Sequence, residues 1–151
     1  MSGRILGVDP GEKNIGLAIS DPTGTIANPL TVITHVARSE DARKIVEAAV
    51  ERGAVRIVVG QPLDSEGEIG PAARKSMRLA EAIRLQTDLP VELWDETGST
   101  QEARSARIAM GSRRKKRSGH LDSLAATVIL QSYLDAHATP ATDWGEPIDL
   151  R

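Results

Sequence analysis

Cysteine and phenylalanine are both missing from this chain, and its remaining aromatic residues amount to two Trp and one Tyr. Without cysteine there is no disulfide and no thiolate metal site, and a reducing compartment is allowed. Without phenylalanine, and with 40% of residues hydrophobic, the core has to be built from Val, Ile, Leu and Ala layers. Such a composition argues against a surface that stacks bases on aromatic rings. No G-x-S-x-G elbow is present, so together with the lack of Cys nothing offers a nucleophilic triad. The longest apolar run, residues 124–130, is far too short to span a membrane. The N-terminus has no charged-then-apolar signal pattern, and the expectation is a soluble, cytoplasmic protein. The three histidines, His35, His120 and His137, have no partner at metal-ligand spacing. Only His120, two residues before Asp122, stands near another ligand type.

What is present is unevenly placed. The formal net charge is -2, yet five of the 19 Lys and Arg residues are consecutive: Arg113, Arg114, Lys115, Lys116 and Arg117. Most short charge runs are solvated loops. This one lies between two helix-like segments and is flanked by Gly111 and Gly119. Local charge, rather than net charge, steers encounter with phosphates, which points to a polyanion partner.

At 151 residues the chain is long enough for one core but not two. Residues 4–9 and 15–20 read as two strands joined by a five-residue turn, hence an antiparallel pair. Residues 29–35 form an expected third strand. A helix over 39–53 has Ser39 as its N-cap and Gly53 as its stop. Residues 55–60 are continuously apolar, as in a strand covered on both faces. A helix from 71 to 85, a strand at 90–95, a helix over 99–110 opened by the Ser99/Glu102 capping-box spacing, and a last helix over 119–136 complete the order. The predicted fold is α/β, a mixed five-stranded sheet with an antiparallel meander of three strands and two parallel strands joined by right-handed crossovers, flanked by helices. A single domain is expected over residues 1–138, with 139–151 a flexible tail.

Three acids fall at the ends of these elements. Asp9 closes the first strand before a Pro/Gly turn, Glu96 follows the last strand, and Asp122 sits in the first turn of the last helix. From Asp122, helical spacing leads to Ala125, Ala126, Ile129 and Tyr133, an apolar face on which a lone carboxylate is costly. Two of the acids have an ordinary explanation: Asp9 as an Asx-turn residue, Asp122 as a helix cap worth roughly 1 kcal/mol. Together they resemble a set of hard oxygen ligands suited to Mg²⁺ or Mn²⁺. Beside a basic loop, such a site points to phosphodiester hydrolysis.

Four blocks carry a family resemblance: "RILGVDPGEKNIGLAISD", "RIVVGQPLDSEGEIGPAARK", "LPVELWDE" and "SRRKKRSGHLDSLAATVILQSYLD". In order and spacing they resemble the YqgF family, bacterial proteins similar to the Holliday-junction resolvase RuvC and described as candidate pre-16S rRNA nucleases. The resemblance runs from about residue 4 to 136. It implies a ribonuclease H-like fold, with Asp9, Glu96 and Asp122 as the catalytic, metal-holding acids and Mg²⁺ or Mn²⁺ as cofactor. Lys13 matches the family's first-turn lysine and joins the basic run as an expected nucleic-acid contact, while Gly60 and Pro62 match its G-x-P loop. One departure is Thr97, where the pattern D-E-R-x-[ST]-T has Arg. The implied activity is metal-dependent endonucleolysis of structured RNA, in 5'-end processing of pre-16S rRNA. A Holliday-junction resolvase, which needs a symmetric dimer to cut two strands, and a non-cleaving nucleic-acid-binding factor are the alternatives. The expected partner is structured RNA or branched DNA, with no membrane, and the protein a monomer or homodimer. An ATP-binding protein of the actin and sugar-kinase type is set aside, because that fold needs a duplicated core.

Overall fold

In the computed structural model of the protein, residues 3–11, 13–62, 70–95 and 118–137 are described, the side chains of 118–122 excepted. Three strands come first along them, and then helices and two further strands alternate. The strands are β1 (Arg4–Pro10), β2 (Asn14–Ser20), β3 (Ala27–Thr34), β4 (Ala54–Gln61) and β5 (Val91–Asp95). The helices are α1 (Arg38–Glu51), α2 (Pro71–Arg84) and α3 (Ser118–Ala136). The sheet order is β3-β2-β1-β4-β5. β1 to β3 form an antiparallel meander, and β4 and β5 join parallel to β1. Both expected halves of the mixed sheet are therefore present. The boundaries differ from the sequence reading by one or two residues, and the turn between β1 and β2 is shorter than expected.

Side chains alternate across a strand with period two, and this sends β1 to both faces. Leu6 and Val8 join Leu17, Ile57 and Val59 in a core covered by Ala42, Ile45 and Ala49 of α1 and Leu79, Ala80 and Ile83 of α2. Ile5, Ala18 and Val58 face the opposite way, under Ala126, Leu130, Tyr133 and Leu134 of α3. Ile57, Val58 and Val59 are all fully buried, so the continuous apolar run does mark a strand covered on both faces. The result is three layers: α1 and α2, the sheet, and α3.

One glycine sets how close α3 comes. A Cβ placed on Gly7 would lie 2.8 Å from the Cβ of Leu130. That atom belongs to the root of the side chain, so the helix itself would have to move. Gly7 lets α3 settle directly on β1.

Helix ends depart from expectation in one respect. Ser39 does not cap α1: the N-cap is Ala37, extended and with no side-chain cap bond, which leaves Ser39 inside the first turn. Asp41 instead ties the helix to the segment before it. Its carboxylate reaches back to accept the amide of Val36 at 3.0 Å. Gly53 does stop the helix, in the left-handed region at φ +69° and donating to Val50. Pro71 opens α2 at a position where no amide is needed. The helix expected over 99–110, the basic run and the tail lie outside the described residues.

Candidate active site at the carboxyl edge of the sheet

The parallel register fixes where the acids belong. Val8, Val59 and Leu93 lie side by side across β1, β4 and β5. The carboxyl ends of the three strands therefore share one edge, where ligand sites form in open α/β sheets. Asp9 and Pro10 end β1 at this edge, pairing across to Gly16 and Ile15 of β2. By alternation, Asp9 stands on the α3 face with Ile5 and Gly7, and Pro10 on the α1/α2 face. Asp9 is half-buried. On β5, Trp94 packs toward α3 and Asp95 takes the other face.

The turn after Asp9 is tight for a stated reason. A Cβ on Gly11 would come within 2.2 Å of the Asn14 carbonyl oxygen, so no larger residue fits. The Gly11 carbonyl accepts a hydrogen bond from Lys75 Nζ of α2 at 2.7 Å, and the Lys13 carbonyl accepts the His35 amide at 2.8 Å. The turn is thus pinned to α2 and to the segment leading into α1. The Lys13 side chain is exposed and has no partner among the described residues.

Of the acids expected to act together, the structure describes one fully. Asp9 is at the carboxyl edge. Asp122 is in the first turns of α3, its side chain outside the described set, and Glu96 follows Asp95 but lies outside the described residues. Among the described residues no three His, Asp or Glu groups converge as a metal cluster. Arg113, Arg114, Lys115, Lys116 and Arg117 also lie outside, as do Thr97 and the side chain of His120.

Two groupings escaped the sequence reading. Beneath α3, the Tyr133 hydroxyl donates to Glu92 Oε2 at 2.8 Å, and Arg56 pairs with the same carboxylate. Trp94 stands edge-on to Tyr133 at 5.4 Å and donates to Ser132 Oγ at 3.2 Å, while His137 stacks on Tyr133 at 4.1 Å. Burial, aided by the neighbouring Glu92 carboxylate, pushes the Tyr133 hydroxyl up to about 12. Two of the chain's three Trp and Tyr residues, Trp94 of β5 and Tyr133 of α3, thus meet edge to face. The second grouping is on the opposite face. Asp41 is fully buried and pairs with His35 Nδ1, which prevents a lone buried carboxylate. The signal for it was available: Asp41, Ile45 and Ala49 fall at helical spacing on one buried face.

Comparison with known proteins agrees with this architecture. The RuvX family, described as Holliday junction resolvase, matches residues 3–136. A protein of Thermoanaerobacter pseudethanolicus, provisionally named a pre-16S rRNA nuclease, is 41% identical over 88% of this chain and 96% of its own. A Symbiobacterium thermophilum protein of the same provisional name is 42% identical over 89% of this chain and 94% of its own. Among solved structures, Thermus thermophilus RuvC bound to a Holliday junction superposes with a TM-score of 0.59 at 15% identity, covering 90% of this chain and 97% of RuvC. The fowlpox virus Holliday junction resolvase gives 0.52 at 17% identity, covering 88% and 98%. At such identities the two structures speak for the RuvC-like, ribonuclease H fold alone. The sequence relatives speak for more: the chain belongs to the RuvX family.

Proposed function

We propose that this protein is a metal-dependent endonuclease that hydrolyses phosphodiesters in structured RNA, acting in 5'-end processing of pre-16S rRNA. The observation that carries the reading is the placement of Asp9 at the carboxyl edge of β1, on the face that α3 covers. Gln131 of α3 holds the start of β3, accepting from the Ala27 amide at 2.9 Å and donating to the Thr25 carbonyl at 3.0 Å. β3 begins beside the end of β2, where Ser20 Oγ accepts the Ile5 amide at 2.8 Å. The carboxyl half of α3 thus lies over the amino-terminal half of β1. Asp122 precedes Gln131 by nine residues, about 13 Å of helix rise away from the start of β3. Glu96 continues the chain from β5, whose end lies about 10 Å from β1 across one intervening strand.

Carboxylates are hard oxygen donors, and Asp9, Glu96 and Asp122 suit Mg²⁺ or Mn²⁺ better than a metal that favours nitrogen or sulfur. Such a cation supplies activation of water and stabilisation of a leaving oxygen. In the reaction water adds across a P–O ester bond and gives a phosphate monoester and an alcohol. Asp9 holds its carboxylate in place through the rigid strand behind it. The tight Gly11 turn, bonded to Lys75, fixes the backbone that follows it. Lys13, exposed at that turn, attracts the phosphate backbone, and the basic run Arg113–Arg117 adds a second, distance-tolerant attraction.

The test is to offer the purified protein pre-16S rRNA fragments and four-way DNA junctions side by side, with and without Mn²⁺. Metal-dependent cutting of the RNA is the expected result. Cutting of the junction alone would assign a resolvase. Binding without cutting under every condition would leave a non-cleaving factor.

A further inference from the structure

A cavity of about 510 Å³ opens on the α1/α2 face, directly beside the catalytic edge. Its floor is Pro10, Gly11 and Ile15, so it begins one residue from Asp9 but on the other side of the sheet. Around it stand Arg38 from the first turn of α1, and Lys75 and Arg78 from α2. Arg38 and Arg78 are exposed and have no hydrogen-bond or ion-pair partner among the described residues. Lys75 is committed to the Gly11 carbonyl by one of its donors and keeps the others. Among the described residues the only carboxylate in the wall is Asp41, which is buried against His35 and the Val36 amide. Among the described residues, three cations therefore stand around a concave site whose one anion is already taken up.

Elsewhere on the same helices the pattern is the opposite. Arg43 pairs with Glu40 and Glu47, and Arg84 with Glu81. Arg38 and Arg78 have Asp41 and Glu81 three residues on, yet neither makes an ion pair among the described residues: Asp41 is taken by His35 and Glu81 by Arg84. A guanidinium presents a planar fork that suits phosphate oxygens, and a cavity of this size lies in the range, about 300–1,000 Å³, that takes a small ligand.

We propose that this cavity is a phosphate-binding site, with Arg38 and Arg78 as its fork donors, taking a phosphate of the substrate strand that flanks the scissile bond. The proposal rests on the nucleic-acid reading above but not on cleavage. A strand crossing the carboxyl edge would lay one phosphate before Asp9 and a neighbouring one against Arg38 and Arg78. The Lys75 bond to Gly11 ties the two places together, since the same turn forms the wall of both.

The experiment measures binding of a fluorescent single-stranded RNA by anisotropy across a salt series, in the Asp9→Asn protein so that no cutting occurs. The R38Q/R78Q variant in that background is expected to bind more weakly and to lower the log–log salt slope by about 0.7, the share of the one phosphate the site holds. R38K/R78K should keep the slope and lose part of the affinity, because charge remains while the fork is lost. A second arm titrates a nucleoside 5'-monophosphate. Arginine-dependent binding of the strand identifies the strand as the source of the phosphate. Arginine-dependent binding of the monophosphate alone keeps the phosphate site and makes a free nucleotide its source. Unchanged affinity and slope in R38Q/R78Q with both probes would overturn the proposal. That result, alongside intact cleavage by R38Q/R78Q carrying Asp9, would leave the nuclease reading standing. Arginine-dependent binding with no cleavage by the wild type would do the reverse.

Discussion

At one end of the sheet, between β2 and β3, the Asp21 carboxylate accepts the amides of Thr23, Thr25 and Ile26 at 3.2, 2.8 and 2.9 Å. Beside it Ser20 Oγ takes the Ile5 amide and the Gly3 amide meets the Pro22 carbonyl at 2.7 Å. At the other end, Lys13, Arg38 and Arg78 have no partner among the described residues. The same strands run between both ends. The difference is that one end has closed its polar groups onto its own backbone and the other leaves three cations without a partner among the described residues. Satisfied groups hold a fold together. Unsatisfied charges around a cavity, set beside a fixed carboxylate, are what a site for an anionic strand requires. Substitutions at the closed end and in the core should therefore change stability, and substitutions at the open end should change binding and cleavage.

The largest effect on stability is expected in the core between the two ends. Leu130 is fully buried over Gly7. Leu130→Ala should cost ~2–5 kcal/mol of unfolding free energy, read from urea denaturation. A loss below about 1 kcal/mol would mean that α3 is not clamped to β1 as described, and with it the placement of Asp122 would fail.

Tyr133→Phe should cost about 1 kcal/mol, because Arg56 still answers the Glu92 carboxylate. Its stronger signature is pH dependence. The hydroxyl titrates at about 12 in the folded protein against about 10 in an unfolded chain. Its contribution is therefore complete below about pH 10 and declines as pH rises toward 12. The wild type should lose stability across that window more steeply than Tyr133→Phe, and parallel curves would remove the buried hydrogen bond from the account.

Asp21→Asn should have the smallest effect, since its hydrogen bonds lie in a solvent-exposed turn. The amide of Ile26, the hydroxyl of Thr23 and the other turn amides hold the Asp21 carboxyl far below the usual carboxylate range. The stabilisation is present above that usual range and is lost as pH falls beneath it. The variant should show a small drop in Tm at neutral pH and a shallower loss on acidification. RNA binding should not change, and a weakened affinity would break the contrast between the two ends.

Much of this was legible in the chain. The apolar runs at β1, β2 and β4 gave strands, the short turn at Pro10–Gly11 gave an antiparallel pair, and the helical patterns between the later strands gave crossovers. Asp9 was legible because an acid at a strand end before a glycine turn is positioned by local sequence alone. Ser39 misled because a cap residue is recognised by type, whereas α1 begins one residue before it and is held by Asp41 from within. The cavity was hidden for a different reason. Arg38 and the pair Lys75 and Arg78 are separated by a strand and most of a helix, and only the packing of α1 on α2 brings them together. The i, i+3 spacing of Lys75 and Arg78 showed that they share a helix face, but not that the face lines a hollow beside Asp9.

The account stands or falls on Asp9 as a site residue rather than a turn residue. Its direct test is the Asp9→Asn protein, measured for cleavage of pre-16S rRNA fragments and for Tm with and without Mn²⁺. Loss of cleavage with a Tm at or above the wild-type apo value is predicted, because one of several mutually repelling carboxylates has been removed. The rise in Tm that Mn²⁺ gives the wild type should shrink or vanish in the variant. An Asp9→Asn protein that cuts at the wild-type rate, or that unfolds, would contradict it.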